Sequence, residues 1–346
     1  MPRPRALCEW VRTPFRGFNR ILGLIDARVI RASSLSQMNA ALAELTATVE
    51  RQQARMAQLE AEREAGLGAA DFPPLLGEVR LARVQLGEVS VQLQRKLLEG
   101  QEYMLDLLRE EFERLIAPGV VKLHIVTEHR VAVDSSDHKF PRGTKNDNTR
   151  HPRFVRKCAQ LFRRQIFHLD LGCAGGGLVW DFLLAGHHSY GVEGSDYSLV
   201  NQRALWRVLP DNLFTADVTK SFYFVDAAGN RRRFDVITAW ELLEHVSEAG
   251  LPGLFTNLHE TLADDGVFVA SVATFTDRDP ATGAVWHVTV QPRQWWKKQF
   301  ENAGFKLVEG LFELGDYARG SGNPHADDWD AATQPQMGFH ITARRQ

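Results

Sequence analysis

The strongest local feature of the sequence is an apolar run that ends in Asp170-Leu171-Gly172-Cys173-Ala174-Gly175-Gly176-Gly177 and opens at once into a helical stretch. Glycines in such a turn let the backbone approach a ligand closely, and the amides at the start of the following helix favour an electron-rich or anionic group. Several nucleotide-binding folds share this turn, so its meaning depends on its partners. Glu193, 23 residues beyond Asp170 in YGVEGSDYS, closes a second apolar run, where a carboxylate could accept both ribose hydroxyls of an adenosine ligand. Asp217 in FTADVT could accept an adenine amino group, with Val218 against the ring. Taken alone Asp217 reads as well as a helix N-cap; its place in the series favours the ligand. A fourth run, FDVITAWELLEHV, sets Glu241, Glu244 and His245 directly after a buried strand, and a further imidazole, His287, stands in AVWHVTVQPRQWW. Histidine titrates near neutral pH and can serve as a base, although either residue alone fits packing or helix capping.

These residues need a scaffold, and the chain from about Phe154 onward supplies one. Short apolar runs at Ile166 to Leu171, Ser189 to Val192, Asn212 to Thr215, Phe234 to Ala239 and Val267 to Val272 alternate with helical stretches. That alternation predicts an α/β fold, a parallel sheet with helices on both faces. Lys306 to Leu311 and Gly338 to Ala343 are strand-like, and the 26 residues between them (Phe312 to Met337) carry no helical period. They are expected to pair antiparallel across a long functional loop.

The first third has another texture. Residues 1–31 hold seven arginines against Glu9 and Asp26, and Phe18, Ile21, Leu22, Ile25 and Val29 recur at helical spacing. A basic amphipathic helix follows, docked on the protein itself or in peripheral contact with a membrane. Leu35, Met38, Leu42, Leu45, Val49, Gln52, Met56 and Leu59 step by threes and fours, a heptad seam that predicts a coiled coil for self-association or for docking to a partner enzyme. Gly66, Gly68, Pro73 and Pro74 mark a hinge at about residues 66–76, and a second helical run ends at Pro118-Gly119. The expected organisation is a helical extension over 1–118, a polar cap segment over 119–153 and an α/β domain over 154–346. The cap segment crowds Asp137, His138, Arg142, Thr144, Lys145, Asp147, Asn148 and Arg150 together, a density of hydrogen-bonding groups that suits either a solvated loop or ligand contacts.

Bulk properties set the outer bounds. With 346 residues, 44% hydrophobic and 24% charged, the chain has material for two globular units. A net charge of -2 supplies no global field for nucleic acid, which becomes an unfavoured partner. Cys8, Cys158 and Cys173 match neither a zinc spacing nor a disulfide framework, so a reducing, cytoplasmic setting is expected.

Taken in order, these motifs resemble the class I S-adenosylmethionine-dependent methyltransferases, in particular the branch that writes its fourth strand F-D-x-V/I followed by E-x-L-E-H. The resemblance covers about residues 150 to 345. It implies a Rossmann-like, mostly parallel seven-stranded sheet with one antiparallel C-terminal strand, and S-adenosyl-L-methionine as cofactor. Position by position, it places cofactor contacts on Asp170, Gly172, Ala174, Gly176, Glu193, Gly194, Asp217, Val218 and Glu241. Ala174 stands where the pattern usually has glycine, a methyl that could narrow the slot. A nicotinamide dehydrogenase would share Gly172, Ala174 and Gly177 but explains neither Asp217 nor the fourth-strand run. A non-catalytic coiled-coil scaffold has no need of a ribose acid.

For the acceptor, His245 and His287 are the candidate catalytic bases if a hydroxyl is methylated. Glu241, Glu244 and His245, with His287, could instead ligate a hard divalent ion, as in some RNA-end and quinone-precursor methyltransferases that resemble the motif; no metal is assigned. Arg293, Trp295, Trp296, Asp316, Tyr317 and Arg319 suggest sugar contacts. The expected reaction is O-methylation of a sugar or glycan-linked hydroxyl, the alternatives being a phenolic, secondary-metabolite or RNA-end acceptor.

Overall fold

The computed structural model describes residues 102–322 and 329–346, with scattered helical positions between 51 and 100. The chain divides into two compact units; residues 19–108 form one, and the described residues from 109 onward belong to the other. In the first unit every described position is helical, and Glu99 accepts bonds from Arg95 and Lys96, both at 3.0 Å, pairs that support a helix locally. The basic stretch 1–31, the heptad seam and the hinge glycines and prolines lie outside the described residues. Among the described residues no helix is long and apolar enough to cross a membrane.

The second unit is built on a seven-stranded sheet. In chain order its strands are β2 (Phe167–Leu171), β3 (His188–Glu193), β4 (Leu213–Thr215), β7 (Phe234–Trp240), β8 (Leu262–Ala273), β9 (Phe305–Leu307) and β10 (Gly338–Arg345). Their spatial order is β4-β3-β2-β7-β8-β10-β9. Neighbours from β4 to β8 run parallel, while β10 is antiparallel to both β8 and β9, with Arg345 opposite Phe305 and Ala343 opposite Leu307. The two C-terminal runs therefore do pair across the long loop.

The five parallel strands, β2, β3, β4, β7 and β8, were legible because parallel strands covered on both faces must be apolar throughout. All residues of β3 and β7 are buried. Side chains alternate between two cores: Ile237, Ala239, Phe268 and Ala270 join one, while Val236, Trp240, Val267 and Val269 join the other. Helices Leu251–Thr261 and Arg293–Asn302 cover the first core with Leu254, Phe255, Leu258, Trp296 and Phe300. Helices Pro152–Phe162 and Gly177–Leu184 cover the second with Phe154, Cys158, Leu178 and Phe182. Pro152 sits in the first turn of its helix, where its missing N–H costs nothing.

A second, three-stranded sheet was not expected. It joins β1 (Leu123–Val126), β5 (Tyr223–Asp226) and β6 (Arg231–Arg232) in that order, antiparallel throughout. It brings the start of the polar cap segment alongside the main sheet, with Val121 N–H donating to His188 Nδ1 at 3.2 Å.

Burial also sets a pH response. His168 lies wholly buried between Ser189 and Thr238, at 2.7 and 2.9 Å, and desolvation holds its pKa well below the usual histidine range. Burial likewise lowers His187, to about 4, where its Nδ1 accepts from Ile166 N–H. A histidine neutral in the fold but protonated when unfolded costs stability as pH falls below the unfolded pKa of about 6.5, by about 2 kcal/mol for His187 at pH 5. His187→Asn keeps an acceptor for Ile166, so urea unfolding should show this variant losing about 2 kcal/mol less than the parent between pH 7.5 and 5. Parallel pH profiles for the two proteins would contradict the assignment.

Candidate active site

The carboxyl ends of β4, β3, β2 and β7 meet at one edge of the main sheet. Chain order reverses between β2 and β7, and open α/β sheets bind ligands at such a point. A cavity of about 1190 Å³ lies there, lined on the sheet side by Gly172, Ala174, Glu193, Gly194, Asp217, Val218 and Glu241. The polar cap segment supplies another part of its wall, including Asp137, Arg142, Thr144 and Asn148.

The turn after β2 is held by its neighbour. Gly172 and Cys173 both donate to Val192 O, at 2.8 and 3.2 Å, and Ala174 N–H donates to Glu193 Oε2 at 2.8 Å. Gly172 and Gly176 have φ of +73° and +83°, the left-handed region glycine enters without strain. Ala174 adopts φ +43° despite its Cβ. Glu193 Oε1 accepts from Thr144 Oγ1 at 3.2 Å and from Ser195 N–H at 3.3 Å. Burial pushes the Glu193 pKa up, and the bonds from Ala174 and Ser195 oppose that rise.

Two of the expected contacts stand behind the wall. Asp170 is buried, accepts from Thr238 Oγ1 at 2.6 Å and is pushed by burial to a pKa of about 7. Gly176 begins the helix Gly177–Leu184, and a Cβ there would come within 2.7 Å of Leu213. Neither lines the cavity, and neither do Gly175 and Gly177. A Cβ at Gly175 would meet Asn148 at 2.5 Å and one at Gly177 would meet Thr149 O at 2.4 Å. These two glycines make room for the cap segment rather than for a ligand.

Asp217 lines the cavity and caps a turn rather than a helix: its Oδ1 accepts from Thr219 N–H at 2.9 Å and Thr219 Oγ1 at 2.7 Å. The backbone of Gly194 is tied to the cap segment through Ala132 N–H, 2.9 Å from Gly194 O.

At the other end of the cavity the two histidines separate in character. His245 Nδ1 lies 2.8 Å from Asp137 Oδ2. Desolvation opposes its charge, but the Asp137 bond and charge, with Glu244 and Glu241, outweigh it and raise the pKa to about 9. An imidazolium has no lone pair to act as a base at neutral pH, so His245 does not fit that expectation. His287 Nδ1 lies 2.7 Å from Phe275 O. A carbonyl only accepts, so Nδ1 carries the proton and Nε2 keeps its lone pair. Burial and the charged His245, whose ring stands edge-on at 4.9 Å, both lower the His287 pKa.

Glu244 is fully buried, receives Ala273 N–H at 2.8 Å on Oε1 and has no partner on Oε2. Burial, reinforced by Glu241, raises its pKa to about 8. Glu244, His245 and His287 each offer a ligand atom within 4.8 Å of the others, a donor set suited to a divalent ion. Glu241 has φ +52°, receives Trp329 Nε1–H on Oε2 at 3.1 Å and has no hydrogen bond of good geometry on Oε1.

Several expected sugar contacts point elsewhere. Trp296 is in the core, Arg293 pairs with Glu309 at 3.0 Å, and Trp295 packs edge-on against Trp296. Asp316 is buried against Arg153 at 2.8 Å, and Tyr317 stacks on His340 at 3.7 Å. Of that group only Arg319 reaches the cavity, paired with Asp147 at 2.6 Å. Trp240, Trp286 and Trp329 line it instead, with Arg142 stacked over Trp286 at 4.2 Å. Trp286 adjoins His287 in sequence, a signal that was there to use; Trp329 has no local signal.

A left-handed alanine costs about 1–2 kcal/mol relative to its ordinary conformation. Ala174→Gly should therefore raise folding stability by about 0.5–1 kcal/mol after the entropic cost of glycine. Denaturant unfolding of the two proteins measures it, and a destabilised glycine variant would show that the Ala174 methyl makes contacts worth more than the strain.

Residues 144–310 match a family model described as a methyltransferase domain. No curated protein matches the chain. Among solved structures it is similar to a TehB-like SAM-dependent methyltransferase from Corynebacterium glutamicum, at 16% identity and a TM-score of 0.35 over 56% of this chain and 88% of that one. The glycopeptide N-methyltransferase MtfA with sinefungin gives 15% and 0.37 over 57% and 94%. The 1,6-didemethyltoxoflavin-N1-methyltransferase of Burkholderia thailandensis gives 17% and 0.39 over 61% and 84%. Likeness at that level carries no argument about substrate, and the fold rests on the strand order itself. The family match falls on the stretch whose sheet and glycine turn are described above: residues 144–310 are similar to a methyltransferase domain, and they lie on a Rossmann-like, mostly parallel seven-stranded sheet.

Proposed function

We propose that the protein transfers a methyl group from S-adenosylmethionine to a hydroxyl of a sugar or glycan-linked acceptor, with His287 as the general base. The observation that carries the base assignment is the His287 hydrogen bond to Phe275 O, which leaves Nε2 of this cavity-lining residue unprotonated, beside His245, whose pKa is raised to about 9.

The cofactor reading is supported by the row of cavity-lining groups at the strand ends, Asp217, Glu193, Gly172 and Glu241. Glu193 is fully buried at the end of β3, and each of its oxygens, though engaged, keeps lone-pair capacity for a ribose hydroxyl. Asp217 and Val218 flank the adenine end. When bound, S-adenosylmethionine supplies an electrophilic methyl on a sulfonium that departs as a neutral thioether. The chain's task is then to align the acceptor and to exclude water. A sugar hydroxyl holds its proton tightly, so a base is required as the oxygen bonds to the methyl carbon. That proton passes to His287 Nε2, while burial, reinforced by the charge of His245, keeps His287 neutral beforehand. The polar wall of Asp137, Arg142, Asn146, Asp147 and Asn148 offers the paired donors and acceptors that a polyol needs, with Trp286 as an apolar face.

A second reading has its own support. The partnerless Oε2 of Glu244 and its convergence with His245 and His287 suit a divalent ion, which would hold the acceptor oxygen and lower its proton affinity. It requires a neutral His245 that donates Nδ1–H to Asp137 and offers Nε2 to the ion, an arrangement the 2.8 Å contact allows, against the raised pKa that favours its charged form.

A transfer assay with methyl-labelled cofactor against nucleotide sugars, glycans, phenols and small RNAs should label a sugar. His287→Ala should lower turnover by about 10²-fold or more while leaving cofactor affinity nearly intact. Unchanged turnover would retire the base. Activity abolished by a chelator and restored by magnesium or manganese would favour the metal reading, and labelling confined to a phenol or an RNA end would overturn the acceptor.

A further inference from the structure

Trp329 is held by a device that neither the family match nor the glycine turn explains. A Cβ at Gly320 would come within 2.2 Å of the Trp329 ring, and one at Gly338 within 2.6 Å. The two glycines thus let backbone press on the indole from separate segments, one of them the start of β10. The ring is 3% exposed, and His340 stacks against it at 5.7 Å. Such a clamp fixes the direction of the one polar atom on the ring. That atom, Nε1, donates to Glu241 Oε2 at 3.1 Å.

Glu241 is itself constrained. It follows β7 at once, its φ of +52° is in a region that an L side chain enters at a cost, and its amide donates to Ser271 Oγ at 3.1 Å. Its second oxygen, Oε1, is buried with no hydrogen bond of good geometry, although the Ser271 hydroxyl and the charge of Arg319 lie near enough to favour the carboxylate. Strain together with an unsatisfied buried carboxylate oxygen is what a ligand contact leaves behind when the ligand is absent. Its place along the sheet says which part of the ligand. Asp217, Glu193, Gly172 and Glu241 follow β4, β3, β2 and β7, four successive neighbours in the sheet. With adenine at Asp217 and ribose at Glu193, the next two strand ends, about 4.8 Å apart, receive the remainder of an extended nucleoside. That remainder is an amino acid with a cationic ammonium group. Leu242, next to Glu241, lies against Gly172, where a Cβ would be 3.2 Å from its Cδ1, so the chain after β7 runs beside the glycine turn, and Gly172 and Glu241 line the same cavity.

We propose that Trp329 is a positioning residue: by holding Glu241 Oε2 it presents Glu241 Oε1 to the ammonium of the cofactor's amino-acid end. The inference rests on the cofactor reading above and adds the residue pair that recognises the part of the cofactor beyond its nucleoside.

Calorimetry with two ligands tests it: S-adenosylhomocysteine, which carries the amino-acid end, and 5′-methylthioadenosine, which lacks it. Trp329→Phe keeps a ring between the two glycines and deletes only the donor, and Glu241→Gln removes the charge. Each should weaken S-adenosylhomocysteine by on the order of tenfold or more and leave 5′-methylthioadenosine unchanged. In the Glu241→Gln background, Trp329→Phe should add little, because it acts through the lost carboxylate. Equal losses for both ligands, no loss for either, or independent effects in the double variant would overturn the proposal with the cofactor reading intact. Failure of the parent protein to bind either ligand would overturn both together.

Discussion

Glu193 Oε2 receives the Ala174 amide, and the ligand-facing edge of the sheet depends on that one hydrogen bond. It is charge-assisted and buried, conditions under which such bonds are strong, and it joins the turn after β2 to the end of β3. The left-handed residues at 172, 174 and 176 are also held by the Val192 carbonyl, by Trp206 Nε1–H on Ala174 O at 2.7 Å and by Leu205 N–H on Gly175 O at 3.1 Å, but of these partners Glu193 is the one whose side chain lines the cavity. The same carboxylate reaches the cap segment through Thr144. One side chain therefore ties together two strand ends and the segment that closes over them.

The far end of the cavity is governed by the cost of burying charge. Glu241, His245 and Asp137 lie close together, half-buried in the cavity wall around the fully buried Glu244, and an uncompensated charge on Glu244 is expensive. Asp137 pairs with His245, which carries the positive charge, and burial raises the pKa of Glu244. His287 is kept neutral by its burial and by that neighbouring cation, which together preserve the lone pair a base needs. The polar cap segment is the source of Asp137, which makes it part of the site's electrostatics rather than a cover alone.

Much of this was legible in the sequence, for reasons that differ by residue. The strands of the main sheet showed as apolar runs because parallel strands are buried on both faces, and the pairing of Phe305–Leu307 with Gly338–Arg345 followed from two such runs around a loop without a helical period. The three-stranded sheet was not legible: Leu123–Val126 alternates buried and exposed residues over only four positions and pairs with a strand about a hundred residues away. Motif spacing brought Glu193, Asp217, Glu241 and His287 to one cavity. Composition failed where direction matters. Asp316, Tyr317, Trp295 and Trp296 are residue types that bind sugars, yet their side chains face their own core or its edge. Gly175 and Gly177 were indistinguishable in sequence from ligand-facing glycines, and only the position of Asn148 and Thr149 shows what they accommodate.

The central claim is that this edge of the sheet holds S-adenosylmethionine in one orientation, nucleoside toward β4 and amino acid toward β7. A crystal structure of the protein with S-adenosylhomocysteine tests it most directly. The account predicts both ribose hydroxyls on the Glu193 carboxylate, the adenine beside Asp217 and Val218, and the sulfur on the β2 to β7 side of the ribose. A ligand bound in the reverse direction, or one that leaves Glu193 bonded only to Ala174, Ser195 and Thr144, would contradict it.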